Sequence, residues 1–115
     1  MTIWVIADTH FGHDTLIGAG REFRSVKQMN DCIADNWNDC IRRTDTAFHL
    51  GDVYKDEGWR VLKGLNGRKM LILGNHDNPL DSHLTDVFSS IALWQVFAET
   101  GVVLTHLPMD LSDET

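Results

Sequence analysis

Gly74-Asn75-His76-Asp77 directly follows the apolar run Met70-Leu71-Ile72-Leu73, and this stretch decides the fold. The run is short and continuous, as is typical of a strand that is buried on both faces. Pro79 follows soon afterwards and prevents a simple continuation of the strand. Because α/β proteins place their functional sites at the carboxyl ends of buried strands, Asn75 and His76 are candidates for such a site.

A short apolar run with a polar end occurs at three other places in the sequence. Ile3 to Ala7 ends at Asp8-Thr9-His10, Thr46 to Leu50 ends at Gly51-Asp52, and Val102 to Thr105 ends at His106. Each run predicts a strand, and a further strand is predicted over Leu93 to Phe97.

Helices are predicted between these strands. Ser25 and Gln28 have the spacing of a capping box, and the apolar residues that follow predict a helix that reaches Ile41. A shorter helix is predicted over Gly58 to Leu65, and one helical turn around Thr15 to Ile17. The alternation of strands and helices predicts an α/β fold.

Length and composition limit the class of protein. The chain has 115 residues and a mass of 13.0 kDa, so we expect one domain over residues 1–115. Hydrophobic residues make up 43% and charged residues 23%, which excludes a disordered chain. A net charge of −7 argues against a broad nucleic-acid surface. A small phosphorylated ligand is still compatible with this negative charge, because bound cations can reverse the local charge of an acidic site.

The sequence also suggests a compartment. No basic leader precedes Ile3, and there is no run of about 18 apolar residues, so we expect a cytoplasmic protein without membrane contact. Cys32 and Cys40 lie roughly 12 Å apart along the predicted helix, which is too far for a disulfide. We therefore expect free thiols, and buried packing is favoured over a zinc site.

The polar strand ends carry side chains that can bind metal ions. A single Asp there is usually a turn former, and a single His is usually structural. Parallel strands, however, bring their ends side by side, so these residues should converge. Two cations about 3.5–4 Å apart need a bridging carboxylate, and Asp52 is the natural bridge. His76 is placed to donate a proton to a leaving oxygen.

In their order and spacing, these blocks resemble the calcineurin-like metallophosphoesterases. The segment Asp8 to His13 resembles the small bacterial and phage branch of that family, and the resemblance extends from Ile3 to Pro108. It implies two facing β-sheets flanked by helices, with a dinuclear metal centre at one edge. The ligands that it implies are Asp8 and His10 for the first metal, Asp52 as the bridge, and Asn75 and His106 for the second metal.

The resemblance also implies an activity, which is hydrolysis of a phosphate mono- or diester with two divalent cations. His76 would contact the phosphate and protonate the leaving group. Manganese is the first choice of metal, ahead of iron, nickel and zinc. The expected substrate is a phosphorylated small molecule or nucleotide.

One family block is not found in the sequence. Family members normally continue to Gly-His-x-His, which adds one ligand to each metal, whereas this sequence reaches Thr115 without it. We therefore expect a C-terminally incomplete domain with a truncated second half. Three explanations stay open. The sequence is shortened, or a second subunit supplies the missing ligands. Alternatively, the protein keeps the fold with impaired catalysis and binds a phosphorylated ligand or a protein partner. An exposed edge between Leu93 and His106 would favour a homo-oligomer.

Other polar residues are weaker candidates. His13 could reach a bound phosphate or support a metal ligand, and a solvated loop histidine is an equal alternative. Arg21 and Arg24 could bind a phosphate, although a surface role is favoured. Asp77 is expected to orient the backbone that presents His76, and His49 to pack beneath the site. The four tryptophans, Trp4, Trp37, Trp59 and Trp94, are expected to anchor the core.

Overall fold

Two β-sheets and several helices make up the described part of the chain, residues 2–14, 23–75 and 77–106 of a computed structural model. The elements are β1 (Ile3–Ile6), α1 (Val26–Cys40), β2 (Thr46–His49), a 3₁₀ helix (Asp56–Gly64), β3 (Arg68–Ile72), α2 (Ser82–Thr85), β4 (Ser90–Ala92), β5 (Gln95–Phe97) and β6 (Val102–Leu104). The turn predicted around Thr15 to Ile17 lies outside the described residues.

The larger sheet has four parallel strands in the order β1-β2-β3-β4. Its register pairs Val5 with Phe48 and Phe48 with Met70. The first three strands confirm the predicted apolar runs, with ends that differ by one or two residues. Strand β4 was not predicted, because Ile91 is its one large apolar residue and the strand therefore shows no apolar run. The carboxyl ends of β1, β2 and β3 meet at one edge, which is where the polar blocks begin.

The smaller sheet is an antiparallel hairpin of β5 and β6, in which Val96 pairs with Val103. The strand that leads to His106 therefore does not belong to the parallel sheet. This corrects the argument that all four polar ends meet as neighbouring parallel strands. The α/β fold with two sheets and flanking helices is confirmed.

The two faces of the larger sheet bury separate cores, because successive side chains of a strand point to opposite faces. The core on the helical face comprises Phe11, Trp37, Ile41, Ala47, Val53, Leu62, Leu65, Leu71, Leu84 and Phe88. The core on the hairpin face is smaller and comprises Phe48, Ile72 and Leu104. Phe97 of β5 packs edge-on against Phe48, with ring centroids 5.3 Å apart. This contact seats the hairpin on the sheet.

Helix α1 begins where the sequence predicts. Ser25 is the N-cap and its side chain accepts a hydrogen bond from the Gln28 backbone N–H, at 3.1 Å. The expectation of buried cysteines is wrong, since Cys32 and Cys40 are both exposed free thiols. Cys32 is three or four residues from Gln28, Asp35 and Asn36, which are all exposed, and Cys40 is the last residue of the helix. Neither α1 nor any other helix of the described ranges has the length and apolarity that a membrane span requires.

An apolar cleft of about 640 Å³ lies between β1 and the hairpin. We define it by Ile3, Val5, Val96 and Val102, each of which is about half exposed in the described chain. Trp94 is also exposed, so its predicted role as a core anchor is wrong, whereas Trp37 is buried as expected. The exposed edge that the sequence predicts near the hairpin is therefore present in part.

Candidate metal centre

Three predicted ligands, which follow β1, β2 and β6, come together at one edge of the sheet. One ligand atom from each of Asp8, Asp52 and His106 lies within 4.8 Å of the other two. His10 joins them, since its Nε2 lies 3.9 Å from Asp8 Oδ1 and 3.8 Å from Asp52 Oδ2. Asn75 Oδ1 lies 2.9 Å from His106 Nε2. The structure thus brings the five predicted ligands together at this edge, while His76 lies outside the described residues.

This donor set fits a divalent cation. Donor atoms about 2.0–2.2 Å from one ion lie about 3–4 Å from each other. The distance from His106 Nε2 to Asp52 Oδ2 is 3.5 Å. A mixture of carboxylate oxygen and imidazole nitrogen suits manganese, iron or zinc.

The ring of His106 is oriented by the backbone beside β2. Its Nδ1 lies 2.7 Å from the carbonyl oxygen of Leu50, so Nδ1 carries the proton that this oxygen accepts. In the neutral ring, Nε2 then presents a lone pair. That lone pair faces the Asn75 and Asp52 oxygens, which are also acceptors. Acceptors that converge in this way are arranged to bind a cation, and a backbone carbonyl commonly orients a ligating histidine.

The backbone that carries the ligands is strained. Asp8, His10 and Asp52 have φ angles of 56°, 49° and 56°, in the left-handed region that L-residues rarely occupy. The other non-glycine residue with a positive φ in the described ranges is Asp56, at the start of the 3₁₀ helix. Such conformations cost about 1 kcal/mol or more each and persist where the surroundings impose them. Their concentration at the ligands is typical of a functional site.

Close packing of the turns keeps the ligands in place. Asp8 N donates to Gly51 O at 3.0 Å, and His10 N donates to Asp52 O at 3.1 Å. Gly51 has a φ of 106°, and a Cβ atom there would lie 2.5 Å from Gly74 N. A Cβ atom at Gly74 would lie 2.6 Å from Asp52 Oδ1. Both glycines are therefore needed for the turns after β2 and β3 to approach each other.

Asp77 joins these two turns through its carboxylate. Its Oδ2 accepts from Asp52 N at 2.9 Å and from Gly74 N at 2.8 Å, and its Oδ1 accepts from Val53 N at 3.1 Å. The sequence predicts that Asp77 orients the backbone that presents His76. Its observed partners are instead mainly those of the Asp52 turn.

His49 packs beneath the site, as predicted, and is fully buried. Its Nδ1 accepts from Gly51 N at 3.0 Å, so Nε2 carries the proton and donates to Thr9 Oγ1 at 2.9 Å. Thr9 Oγ1 in turn donates to Val53 O at 2.8 Å. Burial lowers the pKa of His49 to about 4, against a weaker opposing effect of the Asp77 and Asp52 charges. The role of Thr9 was not predicted, although its position between two ligands was a signal.

A cavity of about 350 Å³ opens beside the ligands and is lined by His10, His13, Asp52, Tyr54 and Lys55. His13 Nδ1 lies 3.2 Å from His10 Nδ1, so His13 supports a predicted ligand and also faces the cavity. Tyr54 and Lys55 were not predicted, although both follow Asp52 closely in the sequence.

Tyr54, which lines this cavity, connects it to residues that lie away from the ligands. The Tyr54 hydroxyl donates to Asp81, and burial together with this hydrogen bond raises the pKa of Tyr54. His83 stacks on Trp59 with ring centroids 4.0 Å apart. Arg24 is exposed just before α1 and does not line the cavity, and Arg21 lies outside the described residues.

Comparison with known proteins gives a consistent picture. A family model described as calcineurin-like phosphoesterase matches residues 1–113. An uncharacterized protein of Methanocaldococcus jannaschii is 37% identical over 81 residues, which cover 65% of this chain and 46% of that protein. The gene 66 protein of Mycobacterium phage L5 is 31% identical over 132 aligned positions, which cover 91% of this chain and 62% of that protein.

A solved structure is also similar. The crystal structure of a protein of unknown function from Aquifex aeolicus aligns with a TM-score of 0.76 and 34% identity, over 92% of this chain and 60% of that one. The chain thus spans between about half and three fifths of the length of these relatives.

Proposed function

Because the chain belongs to the calcineurin-like phosphoesterase family, we propose that it hydrolyses a phosphate mono- or diester with two divalent cations. Members of this family typically bind divalent metals. One observation carries the proposal, namely that donor atoms of Asp8, Asp52 and His106 lie within 4.8 Å of one another. The proposed metal is manganese, and the proposed substrate is a phosphorylated small molecule or nucleotide.

The ligands would divide between two ions. Asp8 and His10 would hold the first, Asn75 and His106 the second, and Asp52 both. When bound, a pair of such cations polarises phosphate oxygens and makes a water molecule nucleophilic at neutral pH.

The side chains around the ligands have separate tasks. The cavity beside Asp52 gives a substrate access to the ligands, and the Lys55 ammonium at its wall attracts an anion. His13 lines the same cavity and is the candidate for contact with the phosphate. Arg21 and Arg24 stay predictions from the sequence. His76 would donate a proton to the leaving oxygen, which is the step that releases the alcohol.

Replacement of the bridging carboxylate tests the metal centre. Asp52→Asn removes the charge that both ions share, so elemental analysis after Mn²⁺ loading should show the loss of at least one ion. Asp39→Asn is the matched control, because Asp39 is an exposed carboxylate on α1. It should keep the metal content of the wild type. An unchanged metal content in a folded Asp52→Asn variant would contradict the dinuclear centre.

Hydrolysis is measured separately, as release of nitrophenol from a mono- and a diester with Mn²⁺ or with chelator. His76→Ala should keep its metal and slow the reaction by about a hundredfold, as expected for the loss of a general acid. An equal loss of metal would make His76 a ligand instead. A wild-type protein that binds Mn²⁺ and hydrolyses neither ester would instead favour a binding module without catalysis.

A further inference from the structure

The carboxylate of Asp77 uses both oxygens on backbone N–H groups. Asp52 N and Gly74 N donate to Oδ2 at 2.9 and 2.8 Å, and Val53 N donates to Oδ1 at 3.1 Å. Hydrogen bonds to an ionised acceptor are stronger than those to a neutral one. Asp77 is 25 residues from Asp52 in the chain, so these bonds connect two turns that the sequence keeps apart.

The turn that Asp77 holds is the strained one. Gly51 and Asp52 have consecutive positive φ angles of 106° and 56°. The successive N–H groups of Asp52 and Val53 both donate to one carboxylate, so this turn presents a small anion-binding concavity. In this protein the anion is the Asp77 carboxylate. Without it, the N–H groups of Asp52 and Val53 would lose the acceptor that stabilises this conformation.

The same turn fixes the position of a metal ligand. Asp52 Oδ2 lies 3.8 Å from His10 Nε2 and 3.5 Å from His106 Nε2. A rotation of the Asp52 backbone would change both distances together. Groups that orient a ligand in this way commonly change metal affinity by about 10- to 100-fold when they are replaced.

We propose that Asp77 is a positioning residue that sets the metal affinity of the site through the backbone of Asp52. It does so without coordinating an ion itself. This inference rests on the proposed function, because it requires that Asp52 is a metal ligand.

Asp45 offers a matched control for a purely structural carboxylate. It is buried, and it also accepts from two backbone N–H groups, those of Thr2 and Arg42, each at 3.0 Å. The indole N–H of Trp4 donates to it at 3.1 Å. Asp45, however, directly precedes β2, whereas the Asp52 turn that Asp77 binds follows β2. The carboxylates of Asp45 and Asp77 therefore act at opposite ends of this strand.

The experiment compares Asp77→Asn with Asp45→Asn. Calorimetric titration with Mn²⁺ should show an affinity at least about tenfold weaker in Asp77→Asn and within about twofold of the wild type in Asp45→Asn. Both variants should unfold at a lower temperature than the wild type. In the metal-free protein, amide hydrogen exchange should accelerate at Asp52, Val53 and Gly74 in Asp77→Asn only.

The possible outcomes separate the hypotheses. Wild-type Mn²⁺ affinity in Asp77→Asn would overturn the inference and leave the metal centre intact. An equal loss of affinity in Asp45→Asn would also overturn it, because the effect would then be general destabilisation. A wild-type protein that binds neither Mn²⁺ nor Zn²⁺ would overturn the proposed function and the inference together. If Asp77→Asn does not fold, Asp77→Glu replaces it, since it keeps the charge but displaces both oxygens, and the same loss of affinity is expected.

Discussion

Acidification from pH 7 to pH 5 should destabilise this protein through one buried side chain, His49. The ring is only 1% exposed, and both of its nitrogens are satisfied in the neutral form. Nδ1 accepts from Gly51 N, and Nε2 donates to Thr9 Oγ1. A second proton would have to sit on Nδ1 and point at the Gly51 N–H. Folding therefore favours the neutral ring.

The size of the effect follows from the two pKa values. Burial lowers the pKa of His49 in the folded protein from 6.5 to about 4. As the pH falls, the unfolded chain therefore takes up the proton first. The stabilising contribution is complete above pH 6.5 and is lost progressively between pH 6.5 and 4. Between pH 7 and 5 the free energy of unfolding should fall by about 2 kcal/mol from this residue alone. That is a large share of the total stability of a small domain.

Urea unfolding followed by circular dichroism at pH 7 and pH 5 measures this loss. The metal-free protein is compared with His49→Asn, whose amide oxygen can still accept from Gly51 N but cannot titrate. Between the two pH values, the free energy of unfolding should fall by about 2 kcal/mol more in the wild type than in this variant. His83→Asn is the control, because His83 stacks on Trp59 away from the buried network and should leave the wild-type loss unchanged. Equal pH dependence in the wild type and His49→Asn would refute the reasoning.

Two further predictions concern the surface. Cys32 and Cys40 are exposed on α1, so both should react with a thiol reagent in the native protein, and an internal disulfide in non-reducing mass spectrometry would contradict the helix. We also propose that the apolar cleft between β1 and the hairpin mediates self-association, because its four residues are about half exposed. Light scattering should then show a species larger than 13.0 kDa that Val96→Lys reduces to the monomer, whereas a monomeric wild type at all concentrations would contradict this proposal.

The parts of the fold that the sequence predicted are those with a strong local signal. Strands β1, β2 and β3 each contain most of a short, mainly apolar run that is followed directly by a polar block. Helix α1 has a capping residue, Ser25, and a regular buried stripe. Strand β4 has one large apolar residue, Ile91, and the parallel pairing that holds it depends on β3 rather than on its own sequence.

In the candidate site, too, the residues with a strong local signal were predicted and those without one were not. Asp52 and His106 were found because each ends an apolar run with a side chain of metal-binding type. The hydrogen bond from His49 to Thr9 joins residues 40 positions apart, and no local pattern indicates it. The partners of Asp77 likewise depend on how closely the turns after β2 and β3 approach. Supporting contacts of this kind are set by tertiary packing, so a single sequence does not reveal them.

The hairpin contributes a ligand to the candidate metal site, so the site joins the two sheets of the fold. Asp52 extends from the parallel layer, whereas His106 extends from the layer of β5 and β6. An ion held by both would be a cross-link between layers whose shared core is small and is centred on Phe48. The free energy of docking the hairpin would then be part of the measured ion affinity, and ion binding would strengthen the docking by mass action. A cavity made at Phe97, on the hairpin side of that core, would thus appear as a weaker metal site.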